Sequence, residues 1–501
     1  MADVLLTHSY HLPYDPKQVR KMQPYPPLGT LYAASSLHSS GMSVAVFDTM
    51  LQDPGPGIIE AIRLHQPKIV VIYEDDFNFL SKMCLTRMRE VALQIAATAR
   101  STGAVVIAHG SDASDHAQEY LTHGVDFILL GEAEQTLSEL CSSLLLKRSI
   151  DAIPGLVRLT QSGHPLNNTP RPPLNPSWVS LPKPARELID LEPYRKAWSN
   201  AHGYFSTSMV ASRGCPYRCN WCAKPISGNK FQVRPASQVA GEMRELKDLY
   251  GAQHLWFGDD VFALNHRWTE EFALEVQAQN AVLPFKIQSR ADLMTEANVS
   301  ALRDAGCAEV WMGVESGSQK IPNAMDKGLQ ISDVLAARSR LAKAGIRACY
   351  FLQFGYPGET WEDILLTIDL IRSTRPYDIG VSFSYPLPGT VFYERVRAQL
   401  GSKQNWAHSD DLCLMFRASY TDTFYRALRD ALHAEVDSWH TPPINSDPSV
   451  GLATLWQHVA NLESISRNHE TTFETADAPI GLADTSQLIP LASLMPHRSE
   501  R

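Results

Sequence analysis

Short, β-rich apolar runs alternate with helical segments along most of this chain, and the alternation falls into two series. In residues 1–155 the candidate strands are Val4–Thr7, Val44–Phe47, Ile69–Tyr73, Val105–Ala108 and Phe127–Leu130. Between them, apolar residues recur at the intervals of amphipathic helices. Strands that alternate with helices form a parallel sheet with helices on both faces. The first series therefore predicts a doubly wound α/β domain.

The second series occupies residues 201–400. Its candidate strands are Thr207–Ala211, His254–Gly258, Phe285–Ser289, Glu309–Val314, Arg347–Phe354 and Ile379–Ser384. Six consecutive strand-helix units predict a partial (β/α)6 barrel of the TIM type. Residues at the carboxyl ends of barrel strands carry the chemistry in such folds. We therefore expect the functional site at that end.

Three other segments have weaker patterns. Residues 156–200 contain seven prolines between positions 161 and 190 and predict a semi-rigid linker. Residues 401–445 predict a small, mostly helical extension. The last segment, 446–501, has little periodicity, and we expect it to be poorly ordered.

Composition limits the class of protein. The 501 residues are 44% hydrophobic and 20% charged, which suits an enzyme with more than one buried core. No apolar run approaches the roughly 18 residues needed to cross a bilayer, and the start does not resemble a signal peptide. We expect a cytoplasmic protein without a membrane partner. A net charge of −9 gives no basic surface for nucleic acid, which is not an expected partner.

Three of the eight cysteines lie within eight residues, at Cys215, Cys219 and Cys222. Thiolates are soft ligands that bind iron–sulfur clusters or zinc. A structural zinc site needs four protein ligands, but the next candidates, His254 and Cys307, are isolated in the sequence. The spacing favours an iron–sulfur cluster with one open coordination position. The structural zinc knot is the alternative.

The spacing CxxxCxxC, with Trp221 before the third cysteine, resembles the cluster-binding loop of radical S-adenosylmethionine (SAM) enzymes. The resemblance implies that the cysteines hold three irons of a 4Fe-4S cluster and that the fourth iron binds SAM. Segments after four later strands resemble those that hold SAM in this family, although Gly-Asp-Asp stands where Gly-Gly-Glu is common. Each segment alone also fits an ordinary turn. The implied SAM contacts are Gly258, Asp259, Asp260, Arg290, Glu315, Ser316, Tyr356 and Gly358.

The first domain resembles the Rossmann-like cobalamin-binding domain that precedes the barrel in one branch of these enzymes. The resemblance rests on Pro26-Pro-Leu-Gly29 and Gly131-Glu-Ala-Glu-Gln-Thr-Leu137. The chain has no Asp-x-His triplet, so we expect no histidine on the lower face of cobalt. A nicotinamide or flavin site would need Gly-x-Gly-x-x-Gly after the first strand, which is absent there. The expected cobalamin contacts are His8, Asp75, Gly110, Ser111, Gly131 and Glu132.

The resemblance implies an enzyme that cleaves SAM to a 5′-deoxyadenosyl radical and transfers a methyl group from methylcobalamin to an unactivated carbon of a small-molecule substrate. It also implies an external electron donor such as flavodoxin or ferredoxin. An oxidative cyclase or rearrangement enzyme, similar to the anaerobic magnesium-protoporphyrin monomethyl ester cyclase, is the main alternative. A tRNA methylthiotransferase would need more amino-terminal cysteines than Cys84 and Cys141. A non-catalytic corrinoid-binding or cluster-binding protein is the remaining alternative, and no catalytic side chain is identified.

Overall fold

The computed structural model of the chain describes residues 2–160, 162–171, 182–224, 226–440 and 448–466. The first sheet has seven strands in the order β2-β1-β3-β4-β5-β6-β7. The first five are parallel, and β6 and β7 add to the edge in antiparallel fashion. These strands are β1 (Val4–Thr7), β2 (Val44–Phe47), β3 (Ile69–Tyr73), β4 (Val105–His109), β5 (Phe127–Leu129), β6 (Leu156–Leu159) and β7 (Pro165–Asn167).

Helices cover both faces of this sheet because its strands are apolar on both sides. Val70 and Ile72 pack on the face covered by α3 and α5, whereas Val71 packs on the opposite face, covered by α2 and α8. The predicted doubly wound domain is therefore confirmed. Its helices are α1 (Pro16–Lys21), α2 (Leu28–Ser39), α3 (Pro54–His65), α4 (Phe79–Lys82), α5 (Thr86–Ser101), α6 (Ser111–Asp115), α7 (Ala117–Thr122) and α8 (Glu134–Leu145).

The segment 156–200 differs from the predicted linker. Strands β6 and β7 belong to the first sheet because Leu156 and Val157 bury their side chains against its two faces. A further helix, α9 (Glu192–His202), buries Trp198 completely, and the indole Nε1 donates a hydrogen bond to the Pro24 carbonyl at 2.7 Å. Residues 172–181, which hold part of the proline-rich stretch, lie outside the described residues.

The second sheet has six parallel strands in the order β15-β14-β13-β12-β11-β8, which confirms the predicted partial barrel. Its strands are β8 (Ser206–Met209), β11 (His254–Phe257), β12 (Phe285–Ser289), β13 (Cys307–Glu315), β14 (Arg347–Phe354) and β15 (Asp378–Phe383). A small antiparallel ribbon of β9 (Ser212–Arg213) and β10 (Gln232–Val233) flanks the cysteine segment. The surrounding helices are α10 (Ala236–Asp248), α11 (His266–Ala278), α12 (Glu296–Ala305), α13 (Lys320–Ala324), α14 (Ile331–Lys343) and α15 (Trp361–Thr374).

The two faces of the second sheet differ in chemistry. Phe257 and Phe285 point toward the helices, with ring centroids 5.2 Å apart, and Phe272 of α11 packs on both. The intervening residues of β12, Lys286 and Gln288, are half-buried. Because side chains alternate across a strand, they face the concave side of the half-barrel. That side is a polar lumen.

The carboxyl-terminal region contains three helices. Four short 3-10 turns, spread along the chain, complete the described elements. The helical extension is confirmed, but the expectation of disorder over 446–501 is wrong for residues 448–466. There Glu463 accepts a hydrogen bond from the Tyr420 hydroxyl at 3.1 Å, and Ser466 Oγ accepts one from the Thr421 amide at 2.8 Å. Residues 441–447 and 467–501 lie outside the described residues. The helices are α16 (Val391–Val396), α17 (Asp422–Ser438) and α18 (Pro448–Ser466), and the turns are Leu12–Tyr14, Arg186–Leu188, Ala291–Leu293 and Arg397–Gln399.

The first domain lies against the open side of the half-barrel. Tyr25 places its hydroxyl 3.5 Å from Ser206 Oγ on β8. On the other side of the opening, the Tyr385 hydroxyl after β15 donates to the Met83 carbonyl at 2.9 Å. The carboxyl ends of the first sheet therefore face the barrel. In the described parts of the chain, no helix is long and apolar enough to cross a lipid bilayer.

A buried ion pair joins the two domains beside the cysteine segment. Arg213 contacts Glu134 at the start of α8, and their side chains are only 6% and 3% exposed. The guanidinium also lies over the Phe77 and Tyr32 rings, at 5.2 and 5.7 Å from their centroids. Burial raises the pKa of the Glu134 carboxyl, but the charge and hydrogen bond of Arg213 outweigh it and leave that pKa below its usual value.

Replacing Glu134 with Gln removes the carboxylate that contacts Arg213 while preserving shape. Breaking a buried pair leaves a poorly compensated charge, so we expect a loss of about 3 kcal/mol in the free energy of unfolding. Thermal and urea unfolding would measure it. Glu60→Gln is the matched control because the Glu60–Arg63 pair is exposed and should contribute little. The double variant E134Q/R213M should recover part of the loss, and equal stability of E134Q and E60Q would contradict this account.

Candidate functional site

The three cysteines lie on the loop that follows β9, at the carboxyl end of the barrel. All three are half-buried thiols outside any disulfide. Lys224 holds the loop closed, because its Nζ donates to the Cys215 carbonyl at 3.0 Å and to Asn229 Oδ1 at 2.9 Å, and also contacts the Tyr217 carbonyl. The loop thus presents three thiols from a fixed turn. It lies at the carboxyl end of the barrel, where the functional site was expected.

The three thiols of the loop are candidate ligands of a metal centre. Among the described side chains, no three His, Cys, Asp or Glu groups converge on one metal-ion position. A zinc ion would require its sulfurs at about 2.3 Å from one point, whereas a 4Fe-4S cluster takes thiolates on different irons. Burial raises the pKa of Cys215, and raises that of Cys222 to about 12. Binding a metal centre here must displace thiol protons.

In the Gly258-Asp259-Asp260 segment after β11, the two carboxylates have different contacts. Buried Asp259 accepts hydrogen bonds from the Ala211 amide at 3.0 Å and from the Ser212 hydroxyl, and burial raises its pKa to about 7. Both of its oxygens therefore hold the strand that leads into the cysteine loop. Gly258 donates its amide to the chain as well, at 2.9 Å from the Met209 carbonyl oxygen.

Asp260 has a different environment. It is about one-third exposed and pairs with Lys82, which α4 of the first domain brings to the barrel. No local sequence pattern indicates this contact, because the two residues are 178 positions apart. Asp260 is the carboxylate of the segment that remains accessible at the barrel mouth.

Arg290, after β12, packs directly on the cysteine loop. Its guanidinium lies 3.8 Å from the centroid of the Tyr217 ring. Asp292 orients the same group with hydrogen bonds of 2.9 and 3.1 Å. Arg290 therefore lies beside the cysteine loop, at the carboxyl end of β12.

The end of β13 contains a strained residue. Glu315 has a φ of 66°, in the left-handed region that a non-glycine residue adopts only at a cost of about 1–3 kcal/mol. A buried ion pair of 2.8 Å with Lys327 fixes it. Ser316 is also buried, and its hydroxyl lies 3.0 Å from Thr367 Oγ1 of α15. Strain of this kind concentrates at functional sites.

The turn after β14 supports the cysteine loop from below. Tyr356 is buried and donates a hydrogen bond to Asn220 Oδ1 at 2.9 Å. Asn220 follows Cys219 and also donates to the Ala324 carbonyl at 2.8 Å. Sequence reasoning missed Asn220, since nothing local marks it as a ligand or a support. Gly358 lies exposed, and its carbonyl accepts from Lys320 at 2.6 Å.

In the first domain, His8 and Asp75 are engaged by the chain itself. His8 Nε2 lies 2.8 Å from Asp48 Oδ1, and Tyr194 donates to the other Asp48 oxygen at 2.6 Å. Asp75 accepts from the Gly29 amide at 2.9 Å, at the start of α2. Both residues lie at the carboxyl edge of the sheet, where they stabilise the loops that face the barrel.

Other buried polar atoms at this edge have no hydrogen-bond partner among the described residues. They are Asp76 Oδ1, Ser111 Oγ, Glu134 Oε2 and His109 Nδ1, and the last of these lies 3.4 Å from Asp76 Oδ2. Burial lowers the pKa of His109 to about 4, so the imidazole is neutral, and its Nε2 bonds to the Gly131 carbonyl at 2.9 Å. Unpaired buried polar atoms are uncommon and call for a partner.

The backbone at the same edge is shaped for close approach. Gly110 has a φ of 135°, and a Cβ there would lie 2.8 Å from Glu74 Cβ, so no other residue fits. Gly131 also has a positive φ, 69°, and Glu132 is buried next to it. Such an edge, at the carboxyl ends of parallel strands, is where doubly wound sheets bind ligands. The donor set fits a polar ligand such as the amide-bearing rim of a corrin.

Comparison with known proteins agrees with this geometry. Residues 209–371 match the sequence profile of the Radical SAM superfamily. An uncharacterized methyltransferase of Pyrococcus horikoshii is 28% identical over 284 residues, which span 56% of this chain and 60% of that protein. The hopanoid C-3 methylase of Methylococcus capsulatus is 25% identical over 392 residues, which span 75% of this chain and 70% of that enzyme.

A solved structure shares the fold. The radical SAM methyltransferase TsrM of Kitasatospora setae, with cobalamin and a 4Fe-4S cluster bound, superposes with a TM-score of 0.65 at 20% identity, over 80% of this chain and 75% of that one. This likeness covers both the amino-terminal domain and the half-barrel architecture. Residues 209–371 therefore form a domain that matches the radical SAM superfamily.

Proposed function

We propose that the chain is a cobalamin-dependent radical SAM enzyme that methylates an unactivated carbon of a small-molecule substrate. The observation that carries the proposal is the loop with three free thiols at the mouth of a half-barrel, opposite a doubly wound domain with unpaired buried polar atoms. The relatives named as methyltransferases support the reaction class. We place the protein in the cytoplasm, where the reducing environment preserves a cluster and supplies an electron donor of the flavodoxin or ferredoxin kind.

In this proposal, Cys215, Cys219 and Cys222 hold the 4Fe-4S cluster. When bound, the cluster and SAM supply the 5′-deoxyadenosyl radical, and methylcobalamin supplies the methyl group. The side chains around the loop act by holding it still: Asp259 from below β9, Arg290 across Tyr217, and Tyr356 through Asn220. Fixed geometry lets the reacting groups meet without reorganisation.

We assign SAM contacts to residues at the mouth of the barrel. The Asp260 carboxylate is about one-third exposed and already binds an ammonium, that of Lys82, so it suits the amino group of SAM. Arg290 suits the SAM carboxylate. Glu315, Ser316 and Gly358 line the following strand ends, whereas Gly258, Asp259 and Tyr356 serve to position the chain.

We assign cobalamin to the carboxyl edge of the first sheet, between that edge and the barrel. Ser111, Glu132 and the backbone of Gly110 and Gly131 would hold its polar rim. His8 and Asp75 would not contact cobalamin themselves. They would position the loops around it through their hydrogen bonds to Asp48 and to the Gly29 amide. Because the first domain covers the open side of the half-barrel, this contact would also exclude water from the site.

Replacing Cys219 with Ala removes one cluster ligand. We expect anoxically reconstituted C219A to lose the 4Fe-4S cluster and to form no 5′-deoxyadenosine from SAM, while corrin binding by the separate first domain persists. Iron analysis, visible absorption and chromatography of the nucleoside measure the three properties. Cys413→Ala is the control, since Cys413 is half-buried far from the loop in sequence and should retain all three.

Formation of 5′-deoxyadenosine by C219A would contradict the cluster assignment.

The mass and labelling of the product distinguish methylation from oxidative cyclisation. Methylation adds a methyl group that isotope-labelled SAM would label, whereas an oxidative cyclase would remove hydrogens and leave the product unlabelled.

Substitutions of Asp260 and Lys82 should change the affinity for SAM in opposite directions. Asp260→Asn removes the charge for the SAM amino group, and we expect its dissociation constant for SAM to rise about tenfold. Lys82→Met removes the ammonium that occupies Asp260, and the constant should fall. Equilibrium dialysis of the reconstituted protein measures both, with Lys68→Met on the surface as control. An unchanged affinity in D260N would contradict the contact.

A further inference from the structure

The concave side of the half-barrel is unlike a packed core. Strand pairing sets Trp256 beside Lys286 and Lys286 beside Glu309. One step up, Gln288 pairs with Trp311. All five side chains are half-buried, whereas the apolar residues that alternate with them, such as Leu255, Ile287 and Val310, are buried. The lumen therefore has aromatic and charged walls whose side chains are not fully buried.

Lys286 is a cation without an anionic partner in this chamber. Its Nζ has one hydrogen bond, to Gln23 Oε1 at 3.3 Å, and makes no ion pair with any carboxylate of the described chain. The rings of Tyr25 and Trp256 lie 5.6 and 5.9 Å from it, so the ammonium is held between aromatic faces. Two of its three donors remain for a ligand.

The neighbouring carboxylate does not neutralise Lys286 because it is already engaged. Glu309 accepts from the Trp311 indole at 2.6 Å through Oε1 and from Arg347 at 3.1 Å through Oε2. Burial also lowers the pKa of Lys286, and the charges of Glu309 and Asp378 raise it by less than burial lowers it. An anion that enters the chamber would satisfy this charge.

Above Lys286, an aromatic wall is built for a flat group. The rings of Trp311 and Phe351 stack with centroids 4.8 Å apart and planes 29° apart. Gly380 on the adjacent strand lies against both, and a Cβ there would approach Phe351 to 3.0 Å and Trp311 to 3.3 Å. The glycine leaves the rings in place and their remaining surface open, since both are half-buried.

We propose that this chamber binds the substrate of the enzyme, that Lys286 pairs with an anionic group of the substrate, and that Trp311 and Phe351 contact a flat apolar body. The assignment rests on the proposed function, because it takes the barrel mouth as the reacting end. Lys286 lies four residues before Arg290, which corresponds to a height of about 13 Å along the strand. The substrate is thus an organic anion whose charged end lies deep in the barrel and whose reacting carbon lies near the mouth.

Three probes with the same flat body test the proposal: 2-naphthoate, 2-naphthyl phosphate and the neutral 2-naphthamide. Calorimetric titration into the full-length, reconstituted protein should show that at least one anion binds about tenfold more tightly than the amide. Comparison of the two anions distinguishes a carboxylate from a phosphate. Lys286→Met should bring the anions to the affinity of the amide, and Lys286→Arg should keep the preference. Trp311→Leu should weaken all three probes by a similar factor.

Lys68→Met serves as the matched control because its ammonium is on the surface, paired with Asp3. No binding of any probe, equal binding of anion and amide by the unaltered protein, or an unchanged preference in K286M would overturn the assignment. Probe binding requires no turnover. Formation of 5′-deoxyadenosine in the same preparation tests the proposed function separately, so failure of one does not imply failure of the other.

Discussion

The buried pair of Arg213 and Glu134 is the contact on which the arrangement of the two domains depends. Arg213 stands two residues before the first cysteine of the loop, and Glu134 begins the last helix of the amino-terminal sheet. A buried guanidinium and carboxylate are stable only when each meets the other. The domains therefore dock in one register, and that register places the carboxyl edge of one sheet over the open side of the other.

The docking explains why so many polar groups can be buried at this boundary. Asp48, engaged by His8 and Tyr194, fixes one loop of the first sheet, and the contact of Lys82 with Asp260 connects another to the barrel mouth. On the barrel side, three strand ends converge on the cysteine loop through Asp259, Arg290 and Tyr356. The loop is thus supported from several directions, while its thiols remain free for a metal centre.

Much of the fold follows from local patterns, and much of the site does not. The run Ile69–Tyr73 is apolar on both faces and could only be a central strand, whereas β6 and β7 are short edge strands beside prolines and give little periodic signal. The CxxxCxxC spacing predicts the cluster ligands, because the three cysteines are neighbours in sequence. No sequence pattern shows which carboxylate of Asp259-Asp260 the chain uses for itself, since that depends on Ser212 and Lys82, far away along the chain.

The central claim is that three thiols hold a cluster with one iron open to SAM. Electron paramagnetic resonance of the anoxically purified, reduced protein, with and without SAM, tests it most directly. The account predicts the signal of a reduced 4Fe-4S cluster, changed in shape when SAM is added. Protein that contains zinc or no metal at the loop, or a cluster signal that SAM does not alter, would contradict it.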